Sequence, residues 1–197
     1  MATLSALPGD LLYCRSQSLV GMTIRFAEER QYSGWVKAIW RSWRRLIGRI
    51  PLMPAGPDHV TWGNHIVLVT GDSIIQALAK GLVTTPIAES PYDDSNSVIL
   101  RLSSVCPGVT DLQRKAVCDF GRWEAAHKDS YAFTEIASIT VNEMTPLKLN
   151  ISYGRAMICS TFGARAWEHA GVIIPTVNTG TTLPSDLFKM TIPNSLG

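Results

Sequence analysis

The run NHIVLVTGDSIIQALAKGLVTTPI, residues 64–87, decides the fold class that the sequence predicts. Within it, the segments 65–70, 73–78 and 82–87 are short, rich in Val and Ile, and bounded by Gly, Asp or Pro. A similar segment follows at 97–102. Segments of this length and composition are typical of successive antiparallel strands, so we expect a small sheet.

Helical patterns lie on both sides of these strands. Before them, 9–14 predicts a turn and one more short strand, and the spacing of apolar residues at 18–33 and 35–50 predicts helices. After them, 110–128 opens with Thr-x-x-Gln, the pattern of a capping box, and continues as a helix.

The C-terminal part adds one more helix. We expect it to begin at Cys159 and to stop at Gly171, and we expect the tail with Pro175 and Pro184 to be irregular. The order of elements, helices then sheet then helices, predicts a single α+β domain over 1–197, with a small antiparallel sheet packed against helices.

Composition excludes several classes of protein. The chain has 197 residues, 46% of them hydrophobic and 17% charged, which is typical of a folded domain. Its formal net charge of +2 excludes a chain-wide affinity for nucleic acid. No run approaches the ~20 apolar residues that span a bilayer. The N-terminal sequence MATLSALPGD lacks the pattern of a signal peptide, so we expect cytoplasmic synthesis without standard export.

The cysteines do not have the spacing of a metal site. They stand at Cys14, Cys106, Cys118 and Cys159, with no C-x-x-C pair and no cluster with histidine. We therefore expect no metal and no cofactor. A chain of this length does not need disulfides, so we expect reduced thiols.

Cys159 is the candidate nucleophile. Thiols attack as thiolates, and the N-terminus of a helix lowers the pKa of a thiol from its ordinary value of ~8.5. The sequence STFGARAWEHAG that follows Cys159 predicts such a helix. The alternative interpretation is a small buried side chain, because cysteine is among the most buried residue types.

A nucleophilic cysteine needs a base, and the chain offers four histidines. His169 lies ten residues along the same helix, roughly 15 Å from Cys159, and is too far to reach the sulfur. We expect His127 in solvent or as a charge at a helix end. His59, in a loop, stays open, and His65 heads the most apolar strand.

A parity argument favours His65. Gln76 is the one polar residue among the apolar neighbours of the next strand. A two-residue turn at Thr70-Gly71 would pair His65 with Gln76 directly, whereas a turn at Gly71-Asp72 would make them diagonal neighbours. Both turns put the two side chains on one face, where the amide can orient the imidazole. A polar pair at a sheet edge, without chemistry, is the alternative.

The order of several motifs resembles a known family. PGDLLY, the run 64–87, VILRLSSVCPGVTDLQRKAVCDFGRW, ICSTFGARAWEHAG and LPSDLF follow one another as in the circularly permuted NlpC-type papain-like cysteine hydrolases of the YiiX-like branch. The similarity covers most of 8–190 except about 30–58. The resemblance implies a permuted papain-like fold whose cysteine helix follows the sheet.

The resemblance also implies roles for individual residues. Cys159 takes the place of the nucleophile and His65 that of the base. Gln76 stands where the family usually has Glu; an amide fixes the imidazole tautomer but stabilises an imidazolium less than a carboxylate does. Ser160 and Thr161 replace the Ser-Glu that follows the family's cysteine.

The segment 34–50 interrupts the resemblance with a basic, Trp-rich helical pattern. Its candidate contact residues for a membrane surface or a partner protein are Trp35, Trp40, Trp43, Arg41, Arg44 and Arg45. One interpretation is a helix that packs its apolar stripe on the core. Another is an insert that contacts an anionic membrane surface or a partner protein. No other feature supports a nucleic-acid ligand.

Three functions fit the sequence. The first is a cysteine hydrolase that cleaves amide bonds through an acyl-enzyme on Cys159; the resemblance implies peptidoglycan peptides as substrate. The second is an acyl-lipid hydrolase or acyltransferase that uses the same residues at a membrane. The third is a binding or assembly module, for instance of a virion, with weak or lost chemistry.

Overall fold

The described part of the chain comprises the sheet and four helices. The computed structural model describes residues 4–15, 63–78, 81–127, 158–173 and 182–191. The predicted helices at 18–33 and 35–50, the insert 34–50 and His59 lie outside these residues.

Five strands form one antiparallel sheet. They are β1 (Leu11–Cys14), β2 (His65–Val69), β3 (Ser73–Leu78), β4 (Gly81–Pro86) and β5 (Ser97–Leu100). Their order across the sheet is β4-β3-β2-β1-β5, and every neighbouring pair is antiparallel. The predicted strands are therefore confirmed, and the N-terminal strand lies between β2 and β5.

The turn between β2 and β3 sets the register of the sheet. Val67 pairs with Gln76, which leaves Gly71 and Asp72 as the two turn residues. Gly71 has a φ of 103°, a conformation that glycine adopts without the steric cost other residues incur. Of the two registers that the sequence left open, this is the diagonal one.

Four helices accompany the sheet. They are α1 (Leu102–Val105), α2 (Asp111–Ala126), α3 (Cys159–His169) and α4 (Pro184–Thr191). The capping box of α2 is confirmed, with Thr110 and Gln113 bonded reciprocally. Gly171, at a φ of 78°, follows the C-cap residue of α3 and ends that helix as predicted.

The prediction of an irregular tail was wrong at Pro184. This proline is the first residue of α4, where its missing N–H removes no intrahelical hydrogen bond. Leu187 and Phe188 of α4 are buried in the core. Burial of these two side chains stabilises a helix that the presence of proline had made unexpected.

The sheet has two apolar faces. The helix face carries Leu11, Tyr13, Ile66, Leu68 and Ile75, which form one cluster with Phe162, Trp167 and Phe188 of the helices. The opposite face carries Leu12, Cys14, Val67, Val69 and Ile74, with Leu4, Ala6, Ile87, Tyr92 and Ile99 packed against it. The described residues thus form an α+β structure with a small open antiparallel sheet. None of their helices is long and apolar enough to cross a membrane.

Candidate functional site

His65 and Gln76 meet on the opposite face of the sheet, as parity predicted. The ring Nε2 lies 3.3 Å from the amide Oε1 of Gln76, and both side chains are buried. Because an amide oxygen accepts but does not donate, Nε2 carries the proton of this hydrogen bond. The lone pair of the neutral ring is then on Nδ1, which is the nitrogen available as a base.

Burial determines the protonation of His65. Removal of the ring from water lowers its pKa from 6.5 to about 4, and the hydrogen bond that the ring donates to Gln76 offsets only part of this shift. The imidazole is therefore neutral at pH 7. A neutral ring can accept a proton, but it does not form a standing ion pair with a thiolate.

Helix α3 brings Cys159 to the same end of the sheet. Gly163 lies so close to the sheet that a Cβ there would be 3.0 Å from Ile66. One turn later, the indole Nε1 of Trp167 donates to the carbonyl of Gly9 at 2.8 Å. The helix thus runs along the sheet away from the start of β2. Cys159, one turn before Gly163, lies toward that start.

The structure brings His65 and Gln76 together, and it places Cys159 in the core cluster of the helix face. Cys159 belongs to the cluster of the helix face, whereas the register puts the other two on the opposite face. Among the described residues, Gln76 is the hydrogen-bond partner of the His65 ring, and no hydrogen bond joins that ring to Cys159.

Cys14 connects the two halves of the site. It ends β1 as the direct cross-strand partner of His65. Burial raises the pKa of its thiol well above the ordinary value, and the charge of Cys159 raises it further. Since charges act measurably over short distances only, Cys14 and Cys159 share one environment at the end of the strands.

Tyr92 also lies near His65. The two ring centroids are 6.3 Å apart. Burial raises the pKa of the Tyr92 phenol to about 12, and Cys14 and Cys159 add to the shift. Neither Cys14 nor Tyr92 was predicted as a site residue from the sequence. Parity along β1 could have found Cys14 once its pairing with β2 was known, whereas no sequence signal pointed to Tyr92, which lies in the loop after β4.

The first turn of α3 has no Asp or Glu side chain. Its N-cap residue, Ile158, provides no side-chain cap, and none of the first residues is acidic. Thr161 is fully buried, and its hydroxyl finds no hydrogen-bond partner among the described residues. Backbone N–H groups at such a helix start favour an anion, such as a thiolate or the oxyanion of an acyl-transfer reaction.

Two other histidines lie away from Cys159. His169, in the last turn of α3, packs on Phe120 with ring centroids 5.0 Å apart. His127 is exposed at the C-cap of α2, with its ring 4.1 Å from that of Trp123. Both placements agree with the predictions, so His65 is the histidine at the cysteine end within the described residues.

Metal and disulfide chemistry receive no support from the described part of the chain. Its His, Cys, Asp and Glu side chains form no group of three that could hold a metal ion. All four cysteines are free thiols.

Comparisons with models of protein families, with curated proteins and with solved structures found no match to this chain. The resemblance to NlpC-type hydrolases thus stays a prediction.

Proposed function

We propose that the protein is a cysteine hydrolase of amide bonds, with Cys159 as nucleophile, His65 as base and Gln76 as the residue that orients the base. The observation that carries the proposal is the hydrogen bond between His65 Nε2 and Gln76 Oε1. It leaves Nδ1 as proton acceptor at the end of the sheet where α3 begins with Cys159. The proposal includes the permuted papain-like fold that the resemblance implies.

The reaction would follow from these positions. The sulfur of Cys159 attacks the amide carbonyl carbon while its proton passes to Nδ1 of His65. N–H groups in the first turn of α3 stabilise the negative oxygen of the intermediate. Nδ1 then gives the proton to the leaving amine as the C–N bond breaks, which leaves a thioester on Cys159. A water molecule, deprotonated by the same nitrogen, hydrolyses the thioester to acid and thiol.

Because His65 is neutral at pH 7, the timing of proton transfer from the thiol is affected. With a pKa of about 4, His65 accepts the thiol proton during attack rather than before it. Papain-like enzymes gain reactivity from a preformed thiolate. We therefore expect a slower nucleophile than in relatives whose orienting residue is a carboxylate.

The substrate class rests on the resemblance alone, which implies peptide bonds in peptidoglycan. The acyl-lipid alternative depends on the segment 34–50, outside the described residues, so it stays a prediction.

A binding or assembly module is the second candidate, and one observation favours it. Cys159 is 0% exposed and His65 is 5% exposed. A substrate must open this end of the sheet to reach them, whereas a module without chemistry needs no access.

Alkylation of each cysteine, measured against pH and located by mass spectrometry, separates enzyme from module. For an enzyme, we expect iodoacetamide to modify Cys159 faster than the partly exposed Cys106 at pH 7, because neutral His65 can take the thiol proton during attack. His65→Gln should slow Cys159 and leave Cys106 unchanged, because only Cys159 uses the base. His169→Gln is the matched control, since that ring lies at the other end of α3.

The substitution Gln76→Glu adds a stricter test. A carboxylate beside the ring would raise the pKa of His65 and stabilise the imidazolium, so Cys159 should react faster at low pH. Release of amines from purified peptidoglycan, absent in Cys159→Ala, would then identify the substrate class. A Cys159 that stays inert, or reacts alike in the wild type, His65→Gln and Gln76→Glu, would overturn the hydrolase proposal and favour the module.

A further inference from the structure

A groove with three cationic side chains in its walls lies at the end of β2 opposite to His65. It has a volume of about 440 Å³, and its walls include Leu7, Pro8, Thr70, Arg114, Lys115 and Arg122. The cationic side chains come from one face of α2, whereas the others come from the N-terminal segment and the end of β2. A volume of this size is typical of a site for a small molecule.

The two arginines converge on neighbouring strand ends. Arg114 Nη1 donates to the carbonyl of Pro8 at 2.8 Å, and Arg122 Nη2 donates to the carbonyl of Thr70 at 2.7 Å. These carbonyls belong to adjacent segments, since a Cβ on Gly71 would lie 3.6 Å from the ring of Pro8. Two guanidinium groups are thus fixed by backbone contacts at one mouth, although like charges repel.

Three carboxylates lie beside these three cations. Asp10 pairs with Arg114 from the buried side. Asp119 is shared between Lys115 and Arg122. Asp111 is an acidic residue in the wall of the groove itself.

The arginines also retain donors. Each guanidinium has five N–H groups. The described contacts of Arg114 use Nη1 alone, and those of Arg122 use Nη1 and Nη2, so Nε and further N–H groups are left over at both arginines. Positioned guanidinium groups with spare donors are typical of an oxyanion site.

We propose that this groove binds the phosphate group of an organic phosphate. A phosphate dianion presents more acceptor oxygens and more charge to three cations than a carboxylate does. The apolar side chain of Leu7, 49% exposed, and the ring of Pro8 form a wall for the organic part of the ligand. The groove is distant from Cys159 and His65, and the proposal is independent of the hydrolase proposal.

Isothermal titration calorimetry with phenyl phosphate tests the site. Benzoate is the comparison ligand, because it has the same phenyl ring and a carboxylate in place of the phosphate. Phenyl phosphate should bind the wild type and benzoate should bind at least about tenfold more weakly. Lys115→Gln and Arg122→Gln should each weaken phenyl phosphate by about tenfold, the effect of losing one charged hydrogen bond. Lys115 is exposed, so its variant should fold even if Arg122→Gln does not.

Arg101→Gln is the matched control. It removes the same charge and also contacts Asp10, but Arg101 does not line the groove. The control should bind phenyl phosphate like the wild type. The proposal would be overturned if Lys115→Gln bound phenyl phosphate as tightly as the wild type. It would also be overturned if Arg101→Gln lost as much affinity as Lys115→Gln, or if the wild type bound benzoate as tightly as phenyl phosphate.

Vesicles distinguish the source of the phosphate group. If the natural ligand is a lipid headgroup, co-sedimentation with phosphatidylcholine vesicles should require added phosphatidic acid and be lost in Lys115→Gln. If it is a soluble phosphate ester, phenyl phosphate should bind while both vesicle types leave the protein in solution. Binding of neither probe would contradict the site altogether.

Discussion

The two ends of β2 bury polar groups by opposite means. Near its last residue, Asp10 is fully buried as a carboxylate, paired with Arg114 and Arg101 and hydrogen-bonded by the backbone N–H of Leu7 and Leu102. At its first residue stands His65, whose partner Gln76 is neutral. One end keeps charge and surrounds it with cations. At the other end, His65 is neutral at pH 7.

The difference follows from the cost of desolvation. A buried ion is tolerated when it is paired and hydrogen-bonded, whereas an ionisable group without a counter-ion shifts its pKa until it is neutral. The Asp10 end therefore depends on its partners for stability. The His65 end depends on pH, because low pH supplies the charge that its surroundings do not accommodate.

The largest expected effect is at the charged end. Asp10→Ala should lower the free energy of unfolding by about 3–5 kcal/mol, because Arg114 would keep a largely buried charge without its counter-ion. Urea denaturation at pH 7 measures this loss. Asp119→Ala, at an exposed carboxylate that also contacts two cations, is the control and should cost far less. Equal losses would show that burial does not distinguish the two carboxylates.

The next effect concerns pH at the neutral end. Folded His65 has a pKa of about 4 against 6.5 for the free side chain. Between these values the unfolded chain binds a proton that the folded chain does not, so stability falls as pH is lowered through this window. The loss approaches roughly 3 kcal/mol near pH 4.

The variant His65→Gln isolates this contribution. All other titrating groups are shared with the wild type, so the difference between the two stability curves belongs to position 65. We expect the curve of His65→Gln to fall less steeply below pH 6.5. Parallel curves would mean that the ring is charged or solvated in the folded protein, and the contrast between the two ends would disappear.

The next expected loss of stability is at Gln76, the hydrogen-bond acceptor of the buried His65 ring. Gln76→Ala should cost about 1–3 kcal/mol, because the His65 Nε2–H would be left buried without an acceptor. The expected loss is smaller than for Asp10→Ala, since a neutral donor is less costly to desolvate than an ion. Gln113→Ala is the control, because that amide caps α2 at a partly exposed position. Thermal or urea denaturation at pH 7 measures both.

Sequence reasoning found the features that depend on local pattern. Short segments rich in Val and Ile predicted β2 and β3. A two-residue turn at either Thr70-Gly71 or Gly71-Asp72 predicted the common face of His65 and Gln76, because side chains alternate with period two and a hairpin register is set by its own turn. The capping box likewise predicted the start of α2. The same local reasoning failed at Pro184, where a residue that breaks helices in their interior begins one.

Features that depend on distant parts of the chain were not predicted. Cys14 faces His65 only because β1 pairs with β2, and 50 residues separate Cys14 from Asn64, the residue that its carbonyl contacts. Non-local pairing of this kind leaves no periodic signal in the sequence. The placement of Cys159 in the core cluster of the helix face was hidden for the same reason, since a helix start does not reveal which face the helix covers.

The smallest expected effect identifies which arginine neutralises Asp10. Arg101 lies 3.4 Å from the carboxylate and is 41% exposed, whereas Arg114 lies at 3.0 Å and is 13% exposed. Because solvent screens the outer pair, Arg101→Gln should cost less than about 1 kcal/mol. Arg114→Gln should cost more, since the buried carboxylate would keep only the screened partner. A larger loss in Arg101→Gln than in Arg114→Gln, measured by urea denaturation, would mean that Asp10 is balanced from the solvent side, and the charged end of β2 would then depend on ionic strength.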